Sequence, residues 1–105
     1  LAHQQKGDLD KAIEDFSRAL GIDPDYTDAR ASRADALLEK GDLAAAVADY
    51  NKVIEVWVHE PEPRLGRGRA LLRQGKPAEA RLDFDAALRL DPALKPKVDA
   101  ELKKP

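Results

Sequence analysis

At 105 residues, with 36% charged and 43% apolar side chains, the chain is long enough for one modest hydrophobic core and too apolar for a disordered tail. Eighteen Lys and Arg oppose twenty Asp and Glu, and the formal charge of −2 gives no global field toward nucleic acid or an anionic membrane. Cysteine is absent, which removes disulfides, thiolate nucleophiles and thiolate metal ligands and leaves cytoplasm and periplasm both open.

The apolar runs are far shorter than the ~20 residues of a spanning helix, and no charged-then-apolar leader opens the chain, so it reads as soluble. It begins at Leu1, part-way through a repeat, and reads as a piece of a longer or processed protein. Taken from that end, Leu9, Ala12, Ile13, Phe16, Ala19 and Leu20 recur at helical spacing and predict a helix. Gly7 precedes it where a helix should stop, and Asp8 follows where a carboxylate can cap the next one. The same punctuation returns at Gly41 with Asp42, 34 residues on, and at Gly75, another 34 on. There Lys76 and Pro77 replace the acidic cap with a proline preset for the first helical position. In the same phase run Asp15, Asp49 and Asp83; Ala12, Ala46 and Ala80; Phe16, Tyr50 and Phe84; and Leu20, Ile54 and Leu88. Each period is predicted to be two helices and a tight turn.

The stretch Val53, Ile54, Val56, Trp57, Val58 is β-branched enough to suggest a strand when read alone. The repeat phase passes through it unbroken, and an isolated strand in a helical stack has no partner for its backbone, so helix is the expectation. After Pro92, the segment Ala93 to Lys104 carries Leu94, Val98 and Leu102 at steps of four beside several lysines, with Pro96 in its first turn. It is expected to be a solvating terminal helix.

Across nearly the whole chain these residues resemble the tetratricopeptide repeat family. The resemblance rests on small residues at Ala34 and Gly68, glycine at the turn, alanine followed four later by an aromatic, and proline after Ile22-Asp23 and Leu90-Asp91. It implies an all-α, right-handed α-solenoid of antiparallel helix pairs, about two and a half repeats with a C-terminal capping helix. On this division residues 1–25 form a truncated first repeat, 26–60 a second, 61–92 a third and 93–105 the solvating helix. Two departures stand out. Arg30 and Arg64 occupy the place of a bulky residue early in the first helix, and Val58 stands where proline is expected, with Pro61 and Pro63 supplying the stop later.

Catalysis needs a nucleophile with a base, paired carboxylates in a cleft or a metal cluster. His3 and His59 are the only histidines, lie on different repeats and read as surface residues, so no catalytic residue, metal site or cofactor is expected. A carboxylate repeated in every hairpin is more simply structural, and Arg33 and Arg67 are predicted to pair with Asp49 and Asp83 or with the aspartate of the preceding hairpin.

The resemblance implies a concave groove lined by the first helices of the repeats. Carried onto this sequence, its residues are Asp28, Ala31, Ser32, Asp35, Leu38 and Glu39, then Glu62, Leu65, Arg69, Leu72 and Arg73, one wall acidic and the other basic. Gly66 is expected to open room in the groove or loosen its helix. Arg69 and Arg73, four apart on one face, are placed to clamp a carboxylate or phosphate, or else form a solvated face balancing Glu62 and Glu79. Family members that grip a chaperone's C-terminal carboxylate use lysine and asparagine at set positions; Ala31, Asp35 and Gly66 stand there, so that role is unsupported. Nucleic acid is a poor partner for the third-repeat arginines, because no aromatic platform accompanies them. Trp57 is either a packing residue or an exposed convex contact. The leading expectation is a non-catalytic scaffold for a protein or peptide. The alternatives are self-association through the face of Leu9, Ile13 and Phe16 that a truncated repeat leaves uncovered, or a docking arm of a larger enzyme.

Overall fold

The computed structural model describes residues 2–103, with the side chains of residues 7–103. The His3 side chain, Leu1, Lys104 and Pro105 lie outside the described residues. Six α-helices follow one another: α1 (Ala2–Ile22), α2 (Thr27–Lys40), α3 (Leu43–Val56), α4 (Pro61–Arg73), α5 (Pro77–Leu90) and α6 (Lys95–Lys103), the last entered through a 3-10 turn at Pro92–Leu94. Among the described residues there is no strand, and the β-branched stretch before Trp57 is the end of α3.

Consecutive helices run antiparallel, and the tight turns explain how. Gly41 and Gly75 sit at φ +94° and +79°, a left-handed conformation that costs any residue with a Cβ about 1–2 kcal/mol. In each turn the glycine N–H reaches back three residues, to Leu38 or Leu72. The next N–H reaches five, from Asp42 to Leu37 at 2.9 Å and from Lys76 to Leu71 at 2.9 Å. This is the same double-bonded helix stop twice, one repeat apart. Pro77 opens α5 and Pro61 opens α4, where a residue without an N–H forfeits no helical bond.

Four expectations need correction. Gly7 stops nothing: α1 runs through it with an ordinary φ, and Asp8 caps no helix. Gly7 keeps helical backbone inside α1, and a glycine stops a helix only where it takes up a positive φ or a cap, as Gly41 and Gly75 do. Asp42 occupies the N-cap position of α3 without a side-chain cap bond, because the glycine turn already fixes that corner. The prolines do not end α3, which stops at Val56 with Trp57 as its C-cap; Pro61 begins the next helix instead. The terminal helix starts at Lys95 rather than Ala93, since the Asp91 carboxylate accepts the Ala93 N–H at 3.1 Å and holds a 3-10 turn there.

The interior is built where small residues let helices close on aromatics. Ala46, Ala80 and Phe84 are fully buried and Tyr50 is 1% exposed. The Phe84 ring lies against Gly68, where an added Cβ would sit 2.6 Å from it, and the Tyr50 ring lies against Gly66, where the approach would be 2.4 Å. Gly66 therefore opens no room, since the tyrosine has taken it. Around these rings two clusters form, one of Ala34, Leu37, Leu38, Ala46, Tyr50 and Ala70, the other of Leu65, Leu71, Ala80, Phe84, Ala87, Leu94 and Val98.

Helix α6 keeps the repeat phase, since Thr27, Pro61 and Lys95 open α2, α4 and α6 at 34-residue intervals. It does not stack as they do. Leu102 stands where Ala34 and Gly68 permit close approach, and the 3-10 turn through Leu94 and α6 through Val98 and Leu102 join the second cluster, with the α6 backbone held further off.

Candidate functional site

Each complete hairpin is stitched by one arginine. Arg33 donates from Nε and Nη2 to the two oxygens of Asp49 at 2.7 and 2.8 Å, and Arg67 does the same to Asp83 at 2.7 and 2.6 Å. The third donor of each reaches back to the preceding hairpin, Nη1 of Arg33 to Ser17 at 3.2 Å and Nη1 of Arg67 to Asn51 at 2.9 Å. The backward partner is thus Ser17 or Asn51 and not a recurring aspartate; Asp15 is exposed. Hydrogen bonding to the carboxylates outweighs burial and raises both guanidiniums above their ordinary pKa. Arg30 lies in the same seam, donating to the Pro24 carbonyl at 2.8 Å and sitting 3.6 Å from Asp49, so its stem replaces the bulky residue missing there. These residues are used up by the stack.

What the stack leaves is a cleft of about 560 Å³ between α2 and α4. Its walls are Ala31, Asp35, Leu38 and Glu39 from α2 and Glu62, Gly66, Arg69 and Arg73 from α4. Tyr50 and Pro63 lie at its floor, Trp57 and Glu60 close one end, and Glu101 enters from α6. Seven of the eleven residues expected at a concave face are brought together here, with Gly66 beside them. Asp28, Ser32, Leu65 and Leu72 are not among the lining. Leu65 is 1% exposed, inside the second cluster, and Leu72 packs against that cluster's edge. Leu65, Gly68 and Leu72 follow at steps of three and four, so both leucines share the face of α4 on which Gly68 meets Phe84.

The basic wall is less available than the sequence suggests. Arg69 Nε lies 2.8 Å from Glu101 Oε1, and the Glu101 side chain is only 9% exposed, so α6 brings its own carboxylate to that arginine. Arg73 is exposed and leans across to α2, its Nη1 3.4 Å from the Leu38 carbonyl. The Tyr50 hydroxyl donates to Asp35 at 2.6 Å; burial first, and then this bond, push the phenol well above its usual pKa. Reading the sequence alone missed Tyr50, Trp57, Glu60, Pro63 and Glu101 as lining residues. Tyr50 lies on a second helix and Trp57 and Glu60 in the turn after it, Pro63 is a buried residue in the first turn of α4 outside the positions expected to face the groove, and Glu101 arrives on α6.

Among the described residues no three His, Cys, Asp or Glu side chains gather to hold a metal ion, and His59 is exposed. Nor is any described helix long and apolar enough to cross a membrane. A family model described as tetratricopeptide repeat matches residues 1–57 and again residues 33–95. No curated protein matches the chain at a significant level.

Proposed function

We propose that this chain, which belongs to the tetratricopeptide repeat family, is a non-catalytic scaffold that holds a peptide or protein segment in the cleft between α2 and α4. Repeats of this family generally mediate protein–protein interaction and are typically non-catalytic. The observation that carries the reading is a division of labour. Arg33, Arg67, Asp49 and Asp83 are consumed in stacking, while Asp35, Glu39, Glu62 and Arg73 are exposed around one concavity that the stack does not need. Charged groups around a concave, partly apolar surface orient a partner more than they stabilise a fold.

Peptides selected from a random library on this protein test the proposal when their contacts are mapped by backbone amide shifts. Shifts concentrated at residues 31–39, 57–66 and 69–73 are expected. Shifts concentrated on α1 or on the exposed faces of α3 and α5 would overturn it.

One observation favours self-association as a second reading. Phe16 and Ala12 are only half-buried, although Tyr50 and Phe84, Ala46 and Ala80 at the same places in later hairpins are covered. Among the described residues no helix lies in front of α1, and its open face is what a second molecule would cover. Sedimentation over a range of concentrations checks this: association that weakens in Phe16→Asp supports it, and a monomer at every concentration removes it.

A further inference from the structure

The charge of the cleft says more than its shape. Five carboxylates line it, from Asp35, Glu39, Glu60, Glu62 and Glu101, against the two guanidiniums of Arg69 and Arg73, a local net of −3. The whole chain carries only −2, so its acidity is concentrated in this concavity while the rest of the molecule is close to balanced.

Internal pairing sharpens the bias. Glu101 and Arg69 neutralise each other at 2.8 Å. Glu39, Glu60 and Glu62 are exposed and form no ion pair with another described residue, and Asp35 gives one oxygen to Tyr50. Four carboxylates therefore face one guanidinium, that of Arg73. Low-dielectric walls concentrate the field of such a set, and an anionic segment entering would strip water from like charges. At the end formed by Glu60 and Glu62 the half-buried Trp57 adds an aromatic surface beside the acids. Aliphatic stems of lysine and arginine pack on such a surface, and their charged heads are drawn to an indole face.

Resting on the proposal that the cleft holds a segment, we infer that the segment is cationic and places a lysine or arginine at the Trp57, Glu60 and Glu62 end. Apolar side chains of the same segment lie over Leu38 and the Tyr50 ring. The stretch of α4 from Glu62 to Arg73 is about 16 Å long, which an extended chain spans in about five residues.

Two tryptophan-free peptides of about ten residues, built on one alanine and leucine frame, test it, one carrying lysines and the other glutamates at the same places. Trp57 is the sole tryptophan, so its emission reports occupancy without a label, and amide shifts report location. The lysine peptide is expected to bind roughly tenfold more tightly at low salt, with the preference shrinking as ionic strength rises. A Glu60→Gln, Glu62→Gln variant is expected to lose most of that preference while keeping its fold. If the glutamate peptide binds in the cleft as tightly as the lysine peptide or more so, the inference is overturned and the cleft remains the binding surface. If neither peptide moves the cleft amides, both the inference and the groove reading fall.

Discussion

In the hairpin α2–α3, Arg33 grips Asp49, Gly41 makes the turn and Tyr50 fills the interior; in α4–α5, Arg67, Asp83, Gly75 and Phe84 do the same work with bond lengths that agree closely. Along the cleft the two hairpins part company. Asp35 is matched by Arg69 and Glu39 by Arg73, each 34 residues on. An interior position must suit the helix beside it and the hairpin stacked on it, so few side chains serve. A position facing the cleft answers to neither, and there the repeats are free to differ in sign.

The largest test of this contrast removes an interior ring. Phe84→Ala should destabilise by about 3–5 kcal/mol in urea unfolding, as expected for a fully buried aromatic, while Phe16→Ala should cost well under half as much because its ring is part-exposed. Equal losses would mean that α1 is as well covered as α5. Next come the stitches: Asp49→Asn and Asp83→Asn should each cost about 2–3 kcal/mol, since each removes the paired carboxylate from a part-buried guanidinium. A large loss in one and none in the other would break the equivalence of the hairpins. Gly68→Ala follows at about 1–3 kcal/mol, because the new Cβ would press on the Phe84 ring. Smallest is Gly75→Ala, about 1–2 kcal/mol from the positive φ alone, with open space around the methyl, and Gly41→Ala should match it.

Most of the interior was legible because a 34-residue interval marks the positions that two neighbours constrain. Arg33, Arg67, Asp49, Asp83, the turn glycines and the three aromatics all announce themselves by recurrence. The cleft was legible only in part, since its residues are the ones that do not recur. The family resemblance pointed to Asp35, Glu39, Arg69 and Arg73, but it also put Leu65 there, which is buried in the interior. Trp57 was ambiguous because it sits at a helix end, where small changes of backbone direction move a side chain from one face to another. At the two ends the repeat logic misled. Gly7 has the spacing of a turn but keeps helical backbone inside α1, and α6 has the phase of a first helix without the small residue that lets one dock.

Separating the interior from the cleft is the most direct test of the whole account. A library-selected peptide should lose more than about tenfold in affinity for a Glu39→Lys, Arg73→Glu variant, while that variant unfolds at the wild-type urea midpoint. Wild-type affinity in this variant, or a loss of stability as large as that of Asp83→Asn, would contradict the division between the residues that stack and the residues that bind.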